Sequence, residues 1–275
     1  MTRISRALGR ATQQLRRISD SPRLDAELLM AAALDIGRDR LLLEMPASEV
    51  PEAFAGFVDR RLTGEPIAYI TGHRGFWNID LEVGPGALVP RPDSETLIAA
   101  AVEHFAGSPG PNRIVDLGTG PGTLLLAALD EWPKASGLGI DASESALAYA
   151  NRNAQRIGLA DRSEFRVGDW AQGISEQFDL ILCNPPYVAT EAELGPGVAE
   201  HEPHEALFAG KEGLEAYRVL APQLPGLLAP GGIATVEIGF DQAEVVSRLL
   251  AISGLQSRVS NDLAGHPRCI LLTWG

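Results

Sequence analysis

From residue 93 onward the chain alternates stretches of helical apolar spacing with short apolar runs of strand length, the signature of a parallel sheet covered by helices. Strands are expected at 113–117, about 135–140, 163–168, 178–183 and 233–238. Helices are expected at about 93–106, directly after Gly122, and at 143–156, 212–228 and 241–253, the first capped by Asp93. The tail offers two more strands, near 255–260 and at 269–273, with no helical pattern between them. Consecutive strands without a crossover helix predict an antiparallel hairpin, so the expected sheet is seven-stranded and mixed.

Upstream, residues 3–62 carry apolar positions at helical spacing, as in Leu24, Leu28, Leu29 and Ala32, then Phe54, Phe57, Val58 and Leu62. Pro22 and Pro51 stand where helices would start, since a missing N–H is harmless in a first turn. From Phe76 to Val83 the pattern shifts to alternation, which predicts a short strand or hairpin. Residues 84–92 are dense in glycine and proline. The expected organisation is a small helical domain over 1–84 ending in the hairpin, a linker at 85–92, and an α/β domain over 93–275.

With 45% hydrophobic and 21% charged residues, a chain of 275 has ample material for a core, and disorder is excluded as its main state. No run approaches the ~20 apolar residues needed to span a bilayer. The start carries arginines without the apolar segment of a secretory signal, so a cytoplasmic protein with no membrane partner is expected. Cys183 and Cys269 lie far apart inside apolar runs and read as reduced, buried thiols. A net charge of −13 repels a phosphate backbone, which disfavours stable nucleic-acid binding. Residues 1–23 depart from that balance at +5, and read either as a solvated helix face or as a docking patch for an acidic or nucleic-acid-containing partner.

The chemistry begins at Asp116-Leu117-Gly118-Thr119-Gly120-Pro121-Gly122, between a strand and a helix. Glycines there let the backbone turn tightly against a ligand while the helix start presents unpaired N–H groups, which implies a nucleotide-like cofactor. The spacing is G-x-G-x-G, an imperfect fit to the dinucleotide loop of hydride-transfer enzymes. Asp141 ends the next strand, where its carboxylate can accept both ribose hydroxyls of an adenosine. Asp169 and Trp170 follow the third strand, a carboxylate for an exocyclic amine and a ring for an adenine face.

Asn184-Pro185-Pro186-Tyr187 directly follows the apolar strand ending at Cys183. Two prolines stiffen the backbone and expose the preceding carbonyls. The Asn184 side-chain oxygen and the Pro185 carbonyl can each accept one hydrogen of a planar NH₂ group, and Tyr187 can stack on it. The nitrogen is thereby aimed, and charge developing on it during in-line attack on a sulfonium methyl is stabilised, with no metal required. The motif defines target chemistry, an amide or an adenine amine, and leaves target identity open. His201, Glu202, His204 and Glu205 do not suggest a metal, because Pro203 interrupts any helix and the spacing is not H-E-x-x-H.

These motifs, with Pro90-Arg91-Pro92-Asp93-Ser94-Glu95 and Arg60-Arg61-Leu62-Thr63-Gly64-Glu65-Pro66-Ile67-Ala68-Tyr69, resemble the peptide chain release factor glutamine methyltransferases of the HemK type. The resemblance runs nearly end to end, through Gly72 to Trp77, Glu202-Pro203, Ala206-Leu207, the strand around Glu237, Asp262-Leu263 and Arg268. It implies a Rossmann-like S-adenosylmethionine-dependent methyltransferase domain with a helical N-terminal domain that helps hold a protein substrate, in a monomer. It implies methyl transfer to the side-chain amide nitrogen of the glutamine in the Gly-Gly-Gln motif of release factors, with S-adenosylhomocysteine as product. By the same resemblance Gly118, Thr119, Gly120, Pro121 and Gly122 form the cofactor loop, Asp141 holds the ribose, Trp170 meets the adenine, and Asn184, Pro185, Pro186 and Tyr187 hold the glutamine. Pro121 departs from the commoner family loop by removing one N–H donor. Two rival readings are an adenine amino methyltransferase on DNA or RNA and a cofactor-binding scaffold without catalysis. Arg91 is open between an interdomain bridge and a cofactor contact, and Glu95 between a first-turn helix acid and a pocket wall.

Overall fold

The computed structural model describes residues 2–45, 49–251 and 254–275. They form two compact units, Met1–His73 with Glu193–Glu202, and Arg74–Ala192 with Pro203–Gly275.

The first unit contains α1 (Arg3–Leu15), α2 (Pro22–Ala33), α3 (Arg38–Glu44), α4 (Glu52–Leu62) and α5 (Ile67–Thr71). Thr2 caps α1 by accepting the Ser5 N–H at 3.1 Å. Ile4, Ala7, Leu8, Ala11 and Leu15 form the buried stripe of α1, and Arg3, Arg6 and Arg10 stand exposed on the other side. Pro22 opens α2, and Pro51 precedes α4 as its cap. The turn between α4 and α5 is tied by Arg61, which pairs with Asp25 at 2.9 Å and also donates to the carbonyls of Gly64 and Glu65, both at 3.2 Å. Both partners of that ion pair are largely buried, so removing either one would strand a charge.

The second unit opens with a hairpin of β1 (His73–Phe76) and β2 (Ile79–Glu82). Then follow α6 (Glu95–Phe105), β3 (Arg113–Leu117), α7 (Thr123–Glu131), β4 (Ser136–Asp141), α8 (Glu144–Arg156), β5 (Ser163–Val167) and β6 (Phe178–Cys183). The chain returns to the first unit over 193–202, which includes the short α9 (Val198–His201). It re-enters the second with α10 (His204–Leu207), α11 (Glu215–Leu220), α12 (Leu224–Leu227), β7 (Leu228–Glu237), α13 (Ala243–Ala251), β8 (Gln256–Asn261) and β9 (Pro267–Thr273). The sheet order is β5-β4-β3-β6-β7-β9-β8. Its first five strands are mutually parallel, and β9 runs antiparallel to both β7 and β8. The seven-stranded mixed sheet and its antiparallel closing pair are as the sequence implies.

Several local expectations give way. The hairpin belongs to the second unit: Trp77 donates its backbone N–H to Glu95 at 2.9 Å and its indole N–H to Glu131 at 3.0 Å. Asn153 on α8 pairs with both backbone groups of Glu82, at 2.7 and 3.0 Å. The segment expected as a linker is not a free one, since Gly86, Leu88, Val89, Pro90 and Arg91 line the cavity described below. Asp93 does not cap the first helix: Pro92–Ser94 forms a 3₁₀ turn, and the Asp93 carboxylate pairs with Arg268 at 3.1 Å. The helix expected over 212–228 is split into α11 and α12, because Pro222 and Pro225 offer no N–H to continue it. Strand β7 starts at Leu228, ahead of the expected 233, and the pairing with β6 shifts register across Ala229 to Gly232. Residues 252 and 253, the end of the last expected helix, lie outside the described residues. Cys183 and Cys269 are free and buried.

Candidate active site

Because β4 lies on one side of β3 and β6 on the other, the crossovers diverge at β3 and leave a crevice outside the carboxyl ends of these strands. A cavity of about 500 Å³ occupies that place. The turn after β3 forms its floor. Gly118 and Thr119 donate their N–H groups to the Ile140 carbonyl at 2.8 and 2.9 Å, locking the turn onto β4. Gly118, Gly120 and Gly122 have φ of +76°, +56° and +86°, left-handed conformations that side chains resist. A Cβ on Gly118 would stand 3.5 Å from the Trp170 ring, so the ring lies over this turn.

Two carboxylates brace the loop. Asp141 accepts the Gly120 N–H on one oxygen and the Ser143 N–H on the other, both at 2.8 Å, and it lines the cavity with further lone pairs to offer. Asp116 is buried and accepts from the Thr119 hydroxyl at 2.7 Å and the Leu125 N–H at 3.2 Å, both on one oxygen. Its other oxygen is buried and has no partner among the described residues. Burial pushes its carboxyl up to about 7, against the pull of the Thr119 and Leu125 hydrogen bonds.

At the end of β6, the Asn184 NH₂ donates to the Ser94 hydroxyl oxygen at 3.0 Å, leaving the amide oxygen as the free end. Pro185 is buried, and no donor among the described residues reaches its carbonyl. Tyr187 donates its hydroxyl to Glu237 at 3.2 Å, and Gln242 donates to the Tyr187 carbonyl at 3.0 Å. Glu237 is fully buried at the end of β7, and burial pushes its carboxyl up to about 7. The hydroxyl of Ser94, the Arg268 guanidinium and the Tyr187 hydroxyl favour the charge, while Asp93 opposes it. Burial and the Glu237 charge together push the Tyr187 hydroxyl up, so it stays protonated and donates.

Of the residues expected at the site, Gly118, Thr119, Gly120, Pro121, Asp141, Asp169, Trp170, Asn184 and Pro186 line the one cavity. Gly122, Pro185 and Tyr187 are not on its wall. Gly122 instead starts α7, and Tyr187 is held by Glu237 and Gln242. Asp169 is exposed and also receives a hydrogen bond from the Gln172 amide. Arg91 lines the cavity, and Glu95 receives the Trp77 N–H. Sequence reasoning assigned no role to Leu88, Val89, Ser143 or Ala146, which also line the cavity, or to Ser94 as the Asn184 partner. Nor did it find Asn153, whose NH₂ holds the Pro121 carbonyl at 3.0 Å. A polar residue on the core-facing stripe of a helix was the one signal present for it.

The residues fit an adenosyl cofactor. The Asp141 carboxylate lines the cavity beside the glycine turn, and the Trp170 ring lies over that turn, a carboxylate and a flat face such as an adenosyl group needs. The cavity volume lies within the roughly 300–1,000 Å³ of small-molecule pockets.

Residues 6–72 match the PrmC N-terminal domain and residues 111–237 a methyltransferase domain. Three release factor glutamine methyltransferases match over nearly the whole chain. That of Rhodospirillum rubrum is 46% identical over 92% of this chain and 79% of its own. That of Caulobacter vibrioides is 41% identical over 92% and 89%, and that of Moorella thermoacetica 37% over 98% and 97%. This chain belongs to the release factor glutamine methyltransferase family. Among solved structures, a methyltransferase from Pyrococcus furiosus aligns with a TM-score of 0.54 at 19% identity, over 72% of this chain and 90% of that one. The ribosomal protein L11 methylase of Lactobacillus delbrueckii aligns at 0.52 and 20%, over 70% and 84%. Those two likenesses concern the fold, the methyltransferase sheet that release factor glutamine methyltransferases share.

Proposed function

We propose that this enzyme transfers a methyl group from S-adenosylmethionine to the side-chain amide nitrogen of the glutamine in the Gly-Gly-Gln motif of peptide chain release factors. The observation that carries this reading is the acceptor pair at the end of β6. Asn184 is anchored through its NH₂, and among the described residues no donor reaches its oxygen or the carbonyl of Pro185. Two acceptors beside a cofactor cavity suit the two hydrogens of a primary amide, and membership of the family names the amide.

S-adenosylmethionine, when bound, supplies a methyl group made electrophilic by its sulfonium. Asp141 holds the ribose, Gly118 to Pro121 cradle the cofactor, and Asp169 and Trp170 meet the adenine. Asn184 and Pro185 draw on the hydrogens of the target NH₂, which aims the nitrogen lone pair and stabilises the positive charge that grows as the N–C bond forms. Pro186 stiffens the acceptor turn, and Tyr187 braces it through Glu237. As the N–C bond forms the methyl–sulfur bond of the sulfonium would break, and the nitrogen would give its surplus proton to water, leaving a neutral methylamide and S-adenosylhomocysteine.

The first unit, with its PrmC N-terminal domain, helps hold the protein substrate. No helix of the described residues is long and apolar enough to cross a membrane. We infer that the chain, as a translation-related enzyme of this family, acts in the cytoplasm, as a monomer. The charge of −13 argues against stable nucleic-acid binding, and so against an adenine target on DNA or RNA. Methyl label should therefore pass to purified release factor and not to duplex DNA or ribosomal RNA. Label on nucleic acid with none on the factor would overturn the assignment.

A further inference from the structure

A primary amide looks nearly the same when turned over, but its chemistry reverses. Asn184 turned by half a rotation would present NH₂ where it now presents oxygen, and would repel the hydrogens it is read to accept. What fixes its direction is a chain of hydrogen bonds. The Asn184 NH₂ donates to the hydroxyl oxygen of Ser94 at 3.0 Å, and Ser94 is 2% exposed, so bulk water does not compete for it. A hydroxyl that accepts from Asn184 must send its own hydrogen elsewhere, and the acceptor beside it is the buried carboxyl of Glu237, whose Oε2 no other donor among the described residues reaches. Glu237 also takes the Tyr187 hydroxyl at 3.2 Å on Oε1, and its backbone carbonyl takes the Tyr217 hydroxyl at 2.9 Å, so the side chain has little freedom to turn. In its ionised form, dominant above about pH 7, the Glu237 carboxylate has no hydrogen to give, and it leaves Ser94 able only to accept from Asn184.

We propose that Glu237 is a positioning residue which, acting through Ser94, fixes the Asn184 amide with its oxygen toward the reacting nitrogen. The inference rests on the reading of Asn184 as an acceptor for the target amide. Glutamine at 237 would keep the shape and reverse the polarity. The Tyr187 hydroxyl would hold the remaining carbonyl oxygen, the new NH₂ would face Ser94, and Ser94 would then donate to the Asn184 oxygen and turn the amide over.

The test uses the full-length enzyme and four forms: wild type, Glu237→Gln, Ser94→Ala and the double variant. Methylation kinetics on release factor and cofactor affinity by calorimetry are measured for each above about pH 8, where Glu237 is ionised. Glu237→Gln is expected to lower kcat by about tenfold or more, the order seen when one aimed acceptor or donor is lost, with cofactor Kd unchanged. Ser94→Ala leaves Asn184 free to take either direction and should cost less. The double variant should return to the level of Ser94→Ala, more active than Glu237→Gln alone. A packing role for Glu237 predicts the reverse, losses that multiply. A double variant no better than Glu237→Gln, or Glu237→Gln with wild-type kcat, overturns the proposal. If Glu237→Gln no longer binds cofactor, Ser94→Ala decides: lowered kcat at unchanged cofactor Kd upholds the proposal, and wild-type kcat overturns it. Wild-type enzyme that fails to methylate would refute the assigned function itself, before any variant is compared.

Discussion

At Asp141 two backbone N–H groups converge on one carboxylate, and the same carboxylate faces the cavity. Its removal should therefore loosen the glycine turn and delete charged hydrogen bonds to the ribose together. Asp141→Ala is expected to raise the cofactor Kd by about 10–100-fold, read by calorimetry, since each charge-assisted hydrogen bond contributes about 1.5–3 kcal/mol. An unchanged Kd would refute the ribose role. Asn184→Ala should act on the other substrate, lowering kcat by about 100-fold or more while cofactor Kd moves little. Single-turnover methylation checks this, and near-normal turnover would sink the acceptor mechanism. Asp141 was legible in the sequence because it ends the strand that follows the glycine loop, and Asn184 because it stands between an apolar strand and two prolines. Glu237 and Ser94 were not, because a carboxylate at the end of an apolar strand and a serine before a helix carry no mark of the network that joins them.

At the scale of elements, the strand–turn–helix of β3, Gly118 to Gly122 and α7 was readable because turn chemistry and apolar pattern agree there. The split of α11 from α12 was readable too, had Pro222 and Pro225 been weighed against the apolar spacing. The placement of the hairpin was not, since its ties to Glu95, Glu131 and Asn153 span long stretches of sequence. Nor was the return of 193–202 to the first unit. There Gly64 and Gly197, with φ of +91° and +80°, lie so close that a Cβ on Gly197 would stand 2.0 Å from the Gly64 carbonyl oxygen. Gly197→Ala combines that clash with a strained backbone, and is expected to destabilise the first unit by about 1–3 kcal/mol, measured by urea unfolding. Wild-type stability would mean the two glycines are not in contact in solution.

Across the whole molecule, two buried carboxyls, Asp116 and Glu237, stand beside the site with pKa values pushed up to about 7 from ordinary values of 3.8 and 4.5. Between those values and about 7 the folded chain holds more protons than the unfolded one, so these groups make stability fall as pH rises through that window and remain lower above it. Asp116→Asn should remove its share of that slope, so that unfolding free energy measured at pH 5 and pH 8 changes less than in wild type, by about 2–4 kcal/mol. Equal slopes would show that Asp116 titrates as an ordinary carboxyl. Charge is also divided along the chain: residues 1–73 are neutral overall, so the −13 resides in 74–275, the part that carries the catalytic cavity. That field suits a protein substrate brought by specific contacts better than a polyanion. The central claim, amide methylation of a release factor, is tested most directly by fragment-ion mass spectrometry of unmodified release factor after incubation with enzyme and S-adenosylmethionine. One added methyl is expected on the side chain of the Gly-Gly-Gln glutamine, absent when that glutamine is alanine. Cofactor binding with no methyl on that residue would contradict the claim.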